Sequence, residues 1–392
     1  MHKLNVRQIC FWLAAVLPVS RLIVYPATLS FRAGNDLLWP ALWNLIAEGT
    51  VLLLLLLLAR RTRRTFFGLL RERAGEAAAR MAALLLALFF ALAAVLPLLE
   101  QRGFVLQILY ENVPSFLSFA PLFALLFFAG AQRLRALGRT MDIALPIFAL
   151  CFMILLLLAL PDADFSALLP VFGRGMGEQA RTALFSLPWY TGAPCMLCFV
   201  GNFEYKEGCA KKVLLAYAIG AAATLAFLAV FYAVFADISF LQHNALAQIS
   251  KYATALTPLG RIDLLFVIGL TLVLVISVCV PVRLCVHCLG EAFGGPRALH
   301  AAIVSILLLG VTVLLNPAFR EAQTFLSERM WPVFALFGYG LPLLAALFLR
   351  EKKAHRSHGI EGKTPRKDLS AADRTRAPSP ETGRTLRAEN RH

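Results

Sequence analysis

The sequence has few charged residues for its length. Aspartate, glutamate, lysine and arginine make up 16% of its 392 residues, hydrophobic residues make up 59%, and the mean hydropathy is +0.71. Soluble domains carry about 25% charged residues, so this composition excludes a soluble domain. The long apolar segments also lack the alternation of polar and apolar residues that strands of membrane barrels require. We therefore predict an all-α integral membrane protein with several transmembrane helices.

Motifs of enzyme catalysis are missing as well. The chain contains no HExxH helix, no P-loop, no catalytic acid pair and no Ser-His-Asp spacing. A membrane-embedded acyl or glycosyl transferase would need a catalytic acid or histidine at a membrane face. Only Glu48 and His287 are available for that role, and both are poor candidates. We therefore expect a protein that is not an enzyme.

Two pairs of cysteines have a spacing that is found in zinc sites. Cys195 and Cys198 form one CxxC pair, and Cys285 and Cys288 form another. The first pair falls in the middle of an apolar segment, where a free cysteine behaves as a small apolar residue. We therefore expect no metal site and no cofactor.

Ten apolar segments are long enough to cross a bilayer, which requires about 20 helical residues. They are Ile9–Leu29, Leu37–Ala59, Met81–Leu99, Pro114–Ala131, Met141–Leu160, Thr182–Phe203, Val213–Ala236, Leu264–Cys288, Leu299–Leu315 and Met330–Leu349. With a cytoplasmic N-terminus, the inner loops hold 17 lysines and arginines and the outer loops hold eight. This bias follows the positive-inside rule, so we predict ten transmembrane helices with both termini in the cytoplasm.

The end of the chain differs in composition from the rest. Residues 351–392 are polar and have no apolar period, and 12 of the 38 lysines and arginines lie from Arg350 onward. We predict a membrane domain over residues 1–350 and a disordered, basic cytoplasmic tail that lies near anionic lipid headgroups. The bias of basic residues toward the inner loops and the contact of the tail with anionic lipid explain the net charge of +15, so we expect no nucleic-acid partner.

The first span of each half of five is interrupted. Pro188, Gly192 and Pro194 interrupt the sixth span, and the first span is interrupted around Pro18 and Pro26. An odd number of spans in each half makes the second half enter the membrane in the opposite sense. Paired interruptions in corresponding helices of an inverted repeat indicate the binding site of a secondary transporter.

Five residues at these interruptions are predicted to surround one ligand-binding cavity: Ser20, Arg21, Tyr190, Thr191 and Gly192. Backbone groups that a broken helix leaves free need partners in hydrocarbon, and a polar ligand can supply them. Tyr190 and Thr191 offer hydroxyls, and Gly192 leaves room beside the ligand.

Arg21 is a charged residue within the first predicted span. A charge inside the membrane is costly, so we expect Arg21 to face a cavity or a partner. One hypothesis is that its guanidinium binds the carboxylate of a ligand. The alternative is a structural ion pair with Glu48, the acid inside the second span.

A set of short motifs resembles a known family of membrane proteins. The motifs, in order, are Arg7-Gln8, Ala33-Gly34-Asn35-Asp36 with Trp39 and Glu48-Gly49, Leu169-Pro170-Val171 with a glycine loop to Gly177, the interrupted sixth span with Lys211-Lys212, and Gly260-Arg261-Ile262-Asp263. On ten spans and at these spacings they resemble the spore germination permeases, the GerAB-type B subunits of GerA-type germinant receptors. That family belongs to the amino acid–polyamine–organocation superfamily.

The resemblance implies a LeuT-like permease fold, a five-plus-five inverted repeat with broken helices 1 and 6 and a ligand pocket between them. It implies germinant sensing at the spore inner membrane, in complex with A and C subunits.

Two departures from the family pattern bear on the identity of the ligand. Pro18-Val19-Ser20 stands where related permeases tend to have glycines, and Ala193-Pro194 follows Gly192 where family members often carry a glutamate. We expect a small germinant such as an amino acid; the alternative is a secondary amino acid transporter unrelated to germination.

Overall fold

The computed structural model describes residues 4–62, 64–108, 115–252, 263–315 and 317–348. The predicted tail lies outside the described residues, and so do the first residue of the predicted fourth span and the Gly260-Arg261-Ile262 part of one motif. Within the described ranges the regular structure is helical, apart from one isolated bridge between Leu4 and Phe203.

The α-helices of the described residues are α1 Val6–Phe11, α2 Leu17–Val19, α3 Tyr25–Ala33, α4 Leu38–Arg61, α5 Phe66–Ile108, α6 Ser115–Ala131, α7 Leu134–Ala159, α8 Met176–Phe185, α9 Gly192–Phe199, α10 Cys209–Phe235, α11 Ala245–Tyr252, α12 Asp263–Phe293, α13 Arg297–Leu315, α14 Phe319–Thr324, α15 Trp331–Ala335 and α16 Leu341–Phe348.

Seven helical stretches are long and apolar enough to cross a membrane. They are Leu38–Arg61, Phe66–Glu100, Leu134–Asp162, Cys209–Leu241, Gly269–Phe293, Arg297–Leu315 and Trp331–Phe348. Each coincides with one of the predicted spans, and the chain is an integral membrane protein. The other three predicted spans fall on shorter helices, among which Val6–Val19 and Pro121–Ala131 are apolar.

The first predicted span consists of two helical parts. A π-helical turn, Trp12–Val16, joins α1 to α2, and helical structure then stops at Val19 and resumes at Tyr25. Pro26 lies in the first turn of α3, where the missing amide hydrogen of a proline costs nothing. The residues between α2 and α3 therefore have backbone groups outside a helical ladder.

The sixth predicted span also consists of separate parts. Helix α8 ends at Phe185, a 3₁₀ turn covers Leu187–Trp189, and α9 begins at Gly192. Tyr190 and Thr191, between the turn and α9, have non-helical backbone angles. A backbone that leaves the helical conformation inside a membrane must find its partners within the protein or in a water-filled cavity.

Close packing fixes the first helical part against α10. A Cβ atom on Gly220 would lie 2.4 Å from the carbonyl oxygen of Leu13 and 2.8 Å from Cγ of Pro18. Only glycine therefore permits this approach of α10 to the segment that ends at the first interruption.

Candidate functional site

The two interruptions meet at a buried ion pair. Arg21 lies just after α2 and Glu48 lies in α4, and their side chains are 1% and 0% exposed. Nη2 of Arg21 donates to Oε2 of Glu48 at 2.6 Å, and Nε of Arg21 donates to the carbonyl oxygen of Trp189 at 3.0 Å. Arg21 thus links the break in the first span to the break in the sixth.

Glu48 accepts a hydrogen bond from the free backbone amide at the start of helix α9. Its Oε1 accepts a hydrogen bond from the backbone amide of Gly192 at 2.8 Å, while its Oε2 accepts from the hydroxyl of Tyr217 at 3.0 Å as well as from Arg21. A carboxylate is favourable at a helix N-terminus because the free amides and the helix dipole are both positive there. Glu48 therefore holds α9 in place with a charge-assisted hydrogen bond.

Tyr190 covers the guanidinium of Arg21. The central carbon of the guanidinium lies 4.0 Å from the centroid of the Tyr190 ring, a cation–π contact. The hydroxyl of Tyr190 lies 2.8 Å from that of Tyr25 and donates to the carbonyl oxygen of Ala41 at 3.3 Å. We call Arg21, Glu48, Tyr190, Gly192 and Tyr217 the Arg21–Glu48 cluster.

A small cavity of about 40 Å³ lies beside this cluster, between the two interruptions and helices α5 and α12. The residues that line this central cavity are Trp12, Val16, Leu17, Ser20, Ala93, Leu96, Pro97, Pro188, Trp189, Thr191, Cys195, Ser277, Val280 and Pro281. Aliphatic, aromatic and proline side chains form most of the wall. Three hydroxyl-bearing residues, Ser20, Thr191 and Ser277, add polar groups to it.

The five predicted site residues lie together but in two different settings. Ser20 and Thr191 line the central cavity, whereas Arg21, Tyr190 and Gly192 belong to the buried Arg21–Glu48 cluster. Of the two roles predicted for Arg21, the ion pair with Glu48 is the one that this geometry has. Ligand binding by the five residues stays a prediction.

Gly192 packs closely against Glu48 and Leu17. A Cβ atom at this position would lie 2.8 Å from Oε1 of Glu48 and 3.0 Å from Cδ2 of Leu17. The lack of a side chain at Gly192 therefore makes room for the Glu48 carboxylate, which its other hydrogen bonds hold in place.

A comparison with protein families matches residues 42–322, well over half of the chain, to the spore permease family, described as spore germination protein. The chain belongs to the spore germination permease family. The match includes Glu48, Tyr190, Gly192 and Tyr217 of the Arg21–Glu48 cluster and begins after Arg21. A comparison with curated proteins gives no significant match.

The solved structures that resemble this spore permease include the crystal structure of MhsT in complex with L-phenylalanine. The similarity covers 88% of the permease and 94% of MhsT, with a TM-score of 0.57 and 11% sequence identity. At that identity the likeness bears on the fold alone. It supports a LeuT-like transporter fold for the described chain.

Several residues in and around the Arg21–Glu48 cluster are not among the site residues predicted from the sequence. Tyr25 and Tyr217 bond the cluster through their hydroxyls, and Trp189 donates its indole Nε1–H to the buried carboxylate of Glu100 at 2.9 Å. A polar side chain within an apolar span is a signal that could have drawn attention to Tyr217, whereas Glu100 lies one residue beyond the predicted third span. Nothing in the sequence indicates which distant partner each of them has.

Proposed function

We propose that the chain is the B subunit of a spore germinant receptor and binds a small germinant in the central cavity. The observation that carries this proposal is the position of that cavity, between two interrupted helical segments in a chain of the spore germination permease family. Interrupted helices in transporter folds leave backbone groups free at the site where the solute binds.

The proposal includes the finer architecture predicted from the sequence. Ten spans form a five-plus-five inverted repeat, and the first and sixth spans are the broken ones. Both termini lie in the cytoplasm, the protein resides in the spore inner membrane, and A and C subunits complete the receptor. Supporting this arrangement, seven stretches that can span a membrane coincide with predicted spans, and the other three predicted spans fall on shorter helices.

The topology has a direct test in a variant without native cysteines. A cysteine in place of Lys206 lies in a predicted inner loop and one in place of Arg174 lies in a predicted outer loop. A thiol reagent that cannot cross the membrane is expected to label the second in intact cells and the first only after permeabilisation. Labelling of the Lys206 position from outside would refute the proposed layout.

Amino acids are the ligand class that the sequence predicts, and MhsT, one of the solved structures similar to this chain, is in complex with L-phenylalanine. The same observation keeps a second candidate function open, namely a secondary amino acid transporter unrelated to germination. Uptake of a radiolabelled solute by vesicles that contain this chain separates the two functions. A receptor drives germination without concentrating the solute, whereas a transporter accumulates it.

Filling the central cavity tests ligand binding. Ala93 of α5 lines the cavity, and Ala91 of the same helix does not. We expect Ala93→Leu to raise the germinant concentration for half-maximal germination at least tenfold, since the added side chain takes up ligand space, and Ala91→Leu to leave it within about twofold. The measurement is dose-dependent germination of spores in which the variant replaces this chain, at protein levels matched by immunoblot. An unchanged dose response for Ala93→Leu would count against the cavity as the binding site.

A further inference from the structure

The groups best suited to bind a ligand carboxylate are already occupied by the chain itself. In transporters with broken helices, the N-terminus of a half-helix points at the anionic group of the substrate. Here the backbone amide at the start of α9, that of Gly192, donates to Glu48 at 2.8 Å, and Arg21 donates to the same carboxylate at 2.6 Å. Glu48 is completely buried, so its carboxylate fills this place without access to water.

Two of the three hydroxyls on the cavity wall, those of Ser20 and Ser277, have the wrong polarity for a second carboxylate, and the third, that of Thr191, offers it at most one hydrogen bond. The hydroxyl of Ser20 already donates to the carbonyl oxygen of Leu17 at 2.8 Å, and that of Ser277 already donates to the carbonyl oxygen of Leu274 at 2.7 Å. A hydroxyl whose hydrogen is already donated still has free lone pairs, so it can act only as an acceptor for a further partner. An ionised carboxylate is also an acceptor and gains nothing from these two groups.

The electrostatics of the cavity wall do not stabilise a carboxylate either. None of the residues that line the cavity in the described part of the chain is charged, and the indole Nε1–H of Trp189 is already donated to Glu100. Taking an unpaired carboxylate out of water is costly, whereas an apolar body gains from contact with the walls formed by Trp12, Leu17 and Leu96.

We propose that the central cavity accepts an apolar solute that carries a hydrogen-bond donor, such as a hydroxyl or amide, and no carboxylate. Glu48 then acts as the protein's own substitute for a ligand carboxylate. This inference rests on the proposed solute binding and replaces the amino acids considered there with ligands that lack a carboxylate. It also explains why the five predicted site residues divide between the cavity and the ion pair.

Ligands with a common side chain test the inference on the unaltered protein. The probes are L-leucine, L-leucinamide and 3-methylbutan-1-ol, measured by isothermal titration and thermal unfolding with the full chain in lipid nanodiscs. We expect the amide or the alcohol to bind at least tenfold more tightly than L-leucine. Binding of L-leucine as tight as that of the other two would overturn the inference and leave the proposed solute binding standing. Absence of binding by every probe would overturn both.

A Glu48→Ala variant tests the second part of the inference. Removal of the carboxylate leaves Arg21 and the amide of Gly192 open to a free anion. Acetate is therefore expected to raise the unfolding temperature of Glu48→Ala in a saturable manner relative to chloride at equal ionic strength, with no such effect on the unaltered protein. An equal acetate effect on both proteins, or none on a folded Glu48→Ala, would contradict the substitution role. If Glu48→Ala does not fold, the ligand comparison on the unaltered protein decides.

Discussion

Two arginine–carboxylate pairs that involve the start of the chain are held in opposite environments. Arg21 and Glu48 are 1% and 0% exposed and lie 2.6 Å apart, whereas Arg7 and Asp142 are 66% and 23% exposed and lie 3.1 Å apart. The buried pair has further partners on both sides, whereas the exposed pair has one further hydrogen bond, from Nε2 of Gln8 to Oδ2 of Asp142 at 3.4 Å. Both pairs lie within hydrogen-bonding distance, so burial is what separates their contributions to the free energy of unfolding.

The difference shows what a charge inside this fold requires. Glu48 accepts from Arg21, Tyr217 and Gly192, and Arg21 also donates to the carbonyl oxygen of Trp189. Each partner offsets part of the cost of removing the two charges from water. The partners come from four separate parts of the chain, so the ion pair also fixes how the two interrupted segments sit on α4 and α10.

The largest effect is expected when one charge of the buried pair is removed. We expect Arg21→Ala or Glu48→Ala to lower the free energy of unfolding by about 3–5 kcal/mol, since each leaves an uncompensated buried charge. The double substitution should recover much of that loss, because it removes both charges. Thermal unfolding and the yield of monodisperse protein in detergent measure the effect. A double variant as unstable as the sum of the single variants would refute the structural role of the pair.

An intermediate effect is expected from one hydroxyl of the cluster. Tyr217 donates to Glu48 Oε2 at 3.0 Å, and its oxygen lies 2.8 Å from the carbonyl oxygen of Leu45, so Tyr217→Phe should cost about 1.5–3 kcal/mol, the range for hydrogen bonds to charged groups. Tyr339→Phe is the matched control, since the Tyr339 hydroxyl is buried and has no hydrogen-bond partner in the described part of the chain. Thermal unfolding compares the two variants. Equal losses of stability would show that the contacts of the Tyr217 hydroxyl with Glu48 and Leu45 contribute nothing specific.

The smallest effect is expected at the exposed pair. Asp142→Asn should cost at most about 1 kcal/mol, because water and salt screen the charges of Arg7 and Asp142. Raising the salt concentration from 50 to 500 mM (about a threefold shorter screening length) should shrink the difference from the unaltered protein further. Thermal unfolding at the two salt concentrations measures both. A loss that matches the one from Glu48→Ala would mean that exposure does not separate the pairs.

Much of the fold could be predicted because apolar length and helix breakers are local properties. The seven membrane-compatible stretches appear in the sequence as runs of apolar residues, and Pro18 and Pro188 lie at the two interruptions. Proline alone does not predict a helix end, since four prolines lie inside long helices: Pro97, Pro121, Pro146 and Pro281. Burial of an intramembrane arginine follows from the cost of placing a charge in hydrocarbon. The sequence also predicts Glu48 as its alternative partner, because Glu48 is the acid within the second span.

The amino-acid sequence alone predicts the class of the protein, the positions of most spans and the need of Arg21 for a partner. Helix packing brings Glu48 to the backbone amide of Gly192, 144 residues further along the chain, and to the hydroxyl of Tyr217. It also decided which predicted residues line the cavity, with Ser20 and Thr191 on the wall and the others behind it. The physical reason is that helix formation and membrane insertion depend on neighbouring residues, whereas hydrogen-bond partners depend on how distant helices pack.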